Sequence, residues 1–394
     1  MKEAFIVESV RTPGCRNKKG KFKDTRPEEL LAYIMRACVD RAGLDPAHLE
    51  DIMCGCAFPE GEQGLNIGRI AGQMAGFPDS VSGVTVNRFC ASGLEGVTMA
   101  NAHIKMGWSD VTLGAGVESM SFVPMGGHTP RPHAEYAAKD PAMYISMGIT
   151  AENVAQRYNV TREEMDKFAM LSHAKAKQAR DTGLFTEIVP TPAYEFKKTE
   201  NNTYEKTHFM VEHDDGIRDE TTMEGLAKLN SPFKAGGGVT AGNSSQTTDG
   251  AAATLIASED AAKRLNLTPM GRIVGYAVAG CKSDEMGVGP KYAIPKVLKQ
   301  TGLTIQDLDI IELNEAFASQ AIHCMKELNI WGTDLMARVN IHGGAIALGH
   351  PLGCTGSKLT ATCLANLKEV KGRYGLVSMC IGGGMGAACI FERI

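Results

Sequence analysis

The 394-residue sequence has no C-x-x-C pair among its 11 cysteines, so a tetrahedral zinc site of Cys pairs has little support. The count is odd and the chain long, which argues against a disulfide framework and for a reducing compartment, read here as cytoplasmic. Cys54-Gly-Cys56, the nearest thing to a ligand pair, sits in an apolar run and reads as two buried thiols. There is no basic excess: the net charge is -4 and the pI about 6.2, so nucleic acid is not an expected partner. Mean hydropathy is -0.13, against a multi-span membrane protein, and no membrane insertion is expected. The first residues enter a strand-like run at Ala4-Phe5-Ile6-Val7, so no signal peptide is expected. Phe391-Glu392-Arg393-Ile394 carries neither a peroxisomal tripeptide nor a prenylation box. Glycine is abundant, with 44 residues, but shows no G-X-Y period, so it marks tight turns rather than collagen.

What is present is a chain that contains itself twice. Gly43, Leu44, Leu49 and Ile52 align with Gly302, Leu303, Leu308 and Ile311 at one constant offset. Val86-Asn87 recurs as Val339-Asn340, and the run 110–116 recurs at 375–382. The landmarks keep their order, which implies a duplicated α/β domain. Each half reads as alternating strands and helices, predicting a mostly parallel sheet covered by helices. Between the halves the pattern changes from Ser119 to about Asn243. Prolines and glycines make a loop there, and Thr161-Arg162-Glu163-Glu164 is a capping box ahead of a helix. The domains are therefore read as 1–118, completed by 244–270; an inserted loop domain, 119–243, covering a site; and 271–394.

Four polar groups fall at predicted strand ends, where open α/β sheets bind ligands. Cys90 follows a strand and precedes small residues that open a helix. There the helix dipole favours thiolate, although a buried cysteine in a tight turn fits equally. Cys380 ends a strand and begins Ile381-Gly382-Gly383-Gly384-Met385-Gly386, a run able to hold an oxyanion or simply to turn. His350, in Gly349-His350-Pro351, has the chemistry of a general base, but a lone histidine beside proline is also a common structural residue. Asn314 ends a further strand and either orients a water or caps the next helix.

Together these segments resemble the thiolase family: Val86-Asn87-Arg88-Phe89-Cys90-Ala91-Ser92-Gly93-Leu94, Asn314-Glu315-Ala316-Phe317, Gly349-His350-Pro351 and Cys380-Ile381-Gly382-Gly383-Gly384-Met385-Gly386. The resemblance covers nearly the whole chain and implies an α/β fold of five layers: two duplicated halves with a loop domain inserted in the first. It implies that Cys90 takes the acyl group from a thioester and that His350 accepts the Cys90 proton, later polarising the thioester oxygen. Cys380 would move the proton at the acetyl Cα, and Asn314 would hold a water beside the enolate. The N–H groups of Cys90 and Gly382 would form the oxyanion hole. Coenzyme A would be a substrate, with no permanently bound cofactor, contacting Ser245 and Arg218. For Arg218 a solvated charge is the competing reading, as it is for the run Arg16, Lys18, Lys19, Lys21 and Lys23.

The implied activity is reversible thiolytic cleavage of 3-ketoacyl-CoA to acetyl-CoA and a shortened acyl-CoA, a step of fatty acid β-oxidation. Members specialised for acetoacetyl-CoA commonly carry His-Met where this chain has Ser146-Met147, which favours the broader 3-ketoacyl activity over condensation by an acetyl-CoA acetyltransferase. A decarboxylating condensing enzyme would usually place histidine at Cys380. A non-catalytic acyl-CoA or lipid-binding protein would not need all four polar groups. The resemblance also implies a homodimer or homotetramer.

Overall fold

The computed structural model describes residues 2–394. The first half runs β1 (Ala4–Arg11), α1 (Pro27–Arg41), β2 (Asp51–Gly55), α2 (Ile67–Met74), β3 (Ser82–Val86), α3 (Ser92–Met106) and β4 (Val111–Ser119). An inserted segment follows, with α4 (Met147–Arg157), α5 (Arg162–Asp181) and a hairpin of Thr191–Lys198 against Tyr204–Val211. The chain rejoins the sheet as β5 (Thr248–Ser258). The second half runs β6 (Gly271–Gly280), α6 (Pro290–Thr301), β7 (Ile310–Leu313), α7 (Ala318–Glu327), α8 (Thr355–Glu369), β8 (Tyr374–Ile381) and β9 (Met385–Arg393).

Strand order repeats the duplication. The first half pairs as β1-β5-β4-β2-β3 and the second as β6-β9-β8-β7. Val339 bridges Ile311 where β3 pairs β2 in the first half. Among the described residues, the two half-sheets are joined through the pairing of Ile6 with Gly271. Sequence periodicity suggested mostly parallel sheets, and this is corrected: β2 pairs in parallel with β3 and β4, and β7 with β8, but β5 and β9 are antiparallel to both of their long neighbours. The reason is the connection. Gly382–Gly384 is far too short for the dozen or more residues of a parallel crossover, so β9 must return antiparallel to β8.

Five layers result. Helix α1 packs on the outer face of the first half-sheet and α6 on that of the second. Helices α3 and α8 lie together between the half-sheets, in a core with Met53, Leu94, Val97, Leu364, Val377 and Met379. Much of the glycine serves this middle layer. A Cβ on Gly356 of α8 would sit 2.2 Å from the Leu94 nitrogen of α3, so the two helices touch backbone to backbone.

Local signals in the inserted segment agree with the structure in part. The Thr161 capping box is formed: its hydroxyl accepts the Glu164 N–H at 3.1 Å, and the Glu164 carboxylate accepts the Thr161 N–H at 2.8 Å. Asp214, just past the hairpin, is buried and pairs with the buried Arg11 at 2.8 Å. Buried charges require such partners.

Candidate active site

The turn carrying Cys90 is built by its neighbours' side chains. Asn87 Oδ1 accepts the Phe89 N–H at 2.8 Å, and Ser92 Oγ accepts the Arg88 N–H at 2.8 Å. Phe89 is held at φ 43°, a left-handed conformation unusual for an aromatic residue and maintained by these bonds. Cys90 follows in a single 3-10 turn ahead of α3 and is 6% exposed. Burial pushes its thiol up to about 12, opposed by hydrogen bonds from the N–H groups of Gly382 and of Cys90 itself. Of the two readings open from the sequence, a dipole-favoured thiolate and a buried cysteine in a tight turn, the resting thiol follows the second: desolvation outweighs the dipole here. The same two amides are donors directed at the Cys90 sulfur.

Gly382 belongs to the three-glycine turn between β8 and β9, with Gly383 at φ 81° and Gly384 at φ 89°. Just before it, Cys380 is buried and packs with Met286 and Ala316. Its thiol is pushed well above 9, first by burial and then by the nearness of Cys90.

His350 sits in the loop before α8. Its N–H donates to the Gln246 carbonyl and to Thr248 Oγ1, both at 3.0 Å. Nδ1 lies 2.6 Å from Thr355 Oγ1, which donates its own proton to the Pro351 carbonyl at 2.9 Å. The hydroxyl is thus the acceptor from Nδ1–H, and the lone pair falls on Nε2. Burial lowers the imidazole pKa to about 3, with help from Lys358, so His350 is neutral at pH 7. Lys358 donates to the Leu348 carbonyl at 2.7 Å and to the Gly349 carbonyl at 3.2 Å, pinning the chain just ahead of the histidine.

Asn314 does not cap α7, whose N-cap is Phe317. Its Nδ2 lies 3.4 Å from His350 Nε2, and its buried Oδ1 has no protein partner among the described residues. Buried acceptors rarely go unmatched, so this oxygen is suited to a bound water or substrate group.

Cys90, His350 and Ser245 line one cavity of about 220 Å³, walled by Met120, Met147, Phe233, Met286, Phe317 and Leu352. Arg218 is not brought to it. It is exposed and lines a separate cavity of about 400 Å³ beside α5, where its N–H donates to His173 Nδ1 at 3.2 Å. Arg16, in a two-residue strand, and Lys18, Lys19 and Lys21, in the turn after it, are exposed, and the Arg16 and Lys21 N–H groups are tied to Asp215.

Sequence reasoning passed over three supports: Thr355, Lys358 and Glu118. The buried Glu118 carboxylate accepts the Ala57 and Gly353 N–H groups at 2.8 and 2.7 Å and Gln63 Nε2 at 2.7 Å, tying the His350 loop to the first half. Thr355 had a signal in hand, since it opens the helix five residues after His350. Glu118 had none, because its partners, two backbone N–H groups and the Gln63 amide, are all distant in sequence.

The chain matches two family models, the thiolase N-terminal domain over residues 4–260 and the thiolase C-terminal domain over 267–393. It is 46% identical to a 3-ketoacyl-CoA thiolase of Bacillus subtilis, with each chain covered in full. It is also 46% identical to the human peroxisomal 3-ketoacyl-CoA thiolase, covering 99% of this chain and 91% of that one. Among solved structures, the Bacillus anthracis acetyl-CoA acetyltransferase superposes with a TM-score of 0.89 at 35% identity, and human mitochondrial 3-ketoacyl-CoA thiolase with 0.88 at 36%. This chain is covered in full by both and covers 99% of the former.

Proposed function

The chain belongs to the thiolase family and is an acyltransferase, and from that premise we propose that it cleaves 3-ketoacyl-CoA with free CoA to acetyl-CoA and a shortened acyl-CoA, reversibly. The observation that carries the mechanism is the convergence of the Gly382 and Cys90 N–H groups on the Cys90 sulfur, in the cavity that also holds His350. His350 Nε2 takes the thiol proton as the sulfur attacks the ketone carbon. The two amides bind the resulting oxyanion. The C2–C3 bond then breaks, leaving the acyl group on Cys90 and the electron pair on the acetyl-CoA enolate. His350, with a water at the free Asn314 Oδ1, stabilises that enolate, and Cys380 protonates its carbon. Free CoA then gives its thiol proton to the Cys380 thiolate as its sulfur attacks the acyl-enzyme, and the leaving Cys90 thiolate recovers its proton from His350.

The rest state suits this order. The thiol and imidazole of Cys90 and His350 are both neutral, so charge develops only when substrate brings an electrophile to receive it. Coenzyme A is a substrate, its pantetheine arm passing Ser245; the remote, exposed Arg218 is left to the nucleotide end. No permanent cofactor is required by these steps.

The 3-ketoacyl reading is favoured over acetoacetyl-CoA condensation because relatives at 46% identity carry that name and position 146 is an exposed serine. A rate series, kcat/KM over 3-ketoacyl chain lengths with free CoA, tests it: activity confined to acetoacetyl-CoA overturns it. The reaction places the protein in fatty acid β-oxidation. A cytoplasmic, reducing location accords with eleven free cysteines, and no helix among the described residues is long and apolar enough to cross a membrane. A homodimer or homotetramer accords with β3, an unpaired sheet edge, and with Leu65 close by in sequence at 90% exposure.

A further inference from the structure

Asn314 and the loop leading to His350 come from different stretches of the chain, and Glu315 ties them together. Its buried carboxylate has three donors. Asn340 Nδ2 donates to Oε1 at 2.8 Å; Ser172 Oγ and the Ile346 N–H donate to Oε2 at 2.7 and 3.2 Å. Asn340 also clasps the end of β7, accepting the Leu313 N–H at 2.9 Å and donating to the Leu313 carbonyl at 2.9 Å. Ser172 belongs to α5 of the inserted segment, and its Oγ accepts the Gly344 N–H at 3.0 Å. The fit is close: a Cβ on Gly344 would lie 2.2 Å from Glu315 Cδ. One carboxylate thus fixes the residue before it, Asn314, against the short helix Ala345–Leu348 that delivers His350. None of these bonds touches the Cys90 turn or the Gly382 turn.

We propose that Glu315 and Ser172 are positioning residues that together set the Asn314 amide against His350 Nε2, so that the seating of α5 governs the carbon–carbon step more than acyl transfer. The proposal rests on the thiolase reading above. Loss of one donor leaves a buried carboxylate oxygen short of a partner and frees the Gly343–Gly344 loop to shift. Enolate stabilisation needs Asn314 and His350 in register with each other, whereas acyl transfer uses His350 alone, with its oxyanion held by amides from elsewhere.

The test uses the intact protein and Ser172→Ala, Ser172→Thr and Glu315→Gln. Three rates are read: thiolysis of a 3-ketoacyl-CoA, exchange of an acyl group between acyl-CoA and labelled CoA, and deuterium uptake into the methyl group of acetyl-CoA in D2O. For Ser172→Ala, thiolysis and methyl exchange should fall roughly 10- to 100-fold while acyl exchange falls less than about threefold and KM for CoA holds. Glu315→Gln should show the same split, and Ser172→Thr, which keeps the hydroxyl, should recover most of the lost thiolysis. Equal loss of all three rates, no loss in any, or a Thr variant as slow as the Ala variant overturns the proposal. A wild-type protein that does not cleave 3-ketoacyl-CoA overturns the thiolase reading and this one with it. A wild type that cleaves, beside variants without the split, overturns only the positioning role.

Discussion

Thr355 receives the Nδ1–H of His350 at 2.6 Å and gives its own proton to the Pro351 carbonyl at 2.9 Å, so a single hydroxyl decides which imidazole nitrogen is basic. With Nδ1 protonated, the lone pair on Nε2 faces the cavity side and the Asn314 amide. Removing the hydroxyl removes the preference and leaves Nδ1 buried beside an apolar group. Thr355→Val should therefore lower kcat roughly 10²-fold or more, a smaller version of the loss seen when a triad histidine takes the wrong tautomer. Thr355→Ser should remain close to wild type. Steady-state thiolysis checks this, and equal activity of the Val and Ser variants contradicts it.

Cys90 and Cys380 divide the proposed chemistry, and substitution should separate them. Cys90→Ser should abolish acyl-enzyme, and intact-protein mass spectrometry after incubation with acyl-CoA shows whether an acyl group appears on another residue instead. Cys380→Ser should still acylate Cys90 but lose carbon–carbon cleavage roughly 10²- to 10⁴-fold, the range of a general acid–base group. Parallel loss of acyl exchange and cleavage would argue against the role given to Cys380.

Buried ionisable groups give folding stability a particular pH dependence. His350, His173 and His323 have pKa values lowered by burial to about 3, 4 and 4. Between those values and about 6.5 the unfolded chain binds protons that the folded chain refuses, so stability falls as pH drops through that window. Glu312 acts in the opposite sense. Burial raises its carboxyl to about 8 from 4.5, so the unfolded state gains by ionising as pH rises between them. Glu312→Gln keeps an oxygen for Asn366 Nδ2, which donates to Oε1 at 2.9 Å, and removes the titration. Thermal unfolding should show the Gln variant gaining on wild type from pH 5 to pH 8. A constant difference across that range refutes the assignment.

How far the site was legible follows from the kind of information each residue needs. The segments around Cys90, Asn314, His350 and Cys380 announce themselves through small residues at the ends of β-type runs, which are local in sequence. The duplication is legible for the same reason, and the strand order of the two halves repeats it. Desolvation is not local: burial among Ala57, Met120 and Leu352, distant in sequence, lifts the Cys90 thiol above its ordinary range, which no helix-terminus argument foresees. Strand direction at β5 and β9 was missed because periodicity reports faces, not polarity. Arg218, which only the resemblance singles out and assigns to the nucleotide end of coenzyme A, lies outside the reactive cavity beside His173 and Lys177.

The middle layer provides the last prediction. Gly356 faces the Leu94 backbone so closely that an added Cβ would lie 2.2 Å from nitrogen and 2.5 Å from the Leu94 Cβ. Neither neighbour is a flexible side-chain end, so α3 and α8 must separate to admit a methyl group. Gly356→Ala should therefore cost about 1–3 kcal/mol of stability through overpacking, read as a lower denaturant midpoint. Because α3 begins two residues after Cys90 and α8 begins at Thr355, the same separation moves the nucleophile's turn away from the histidine's support. Acyl-enzyme formation should slow together with the loss of stability. A variant that is destabilised yet acylates at the wild-type rate would show that the helix contact serves the fold alone.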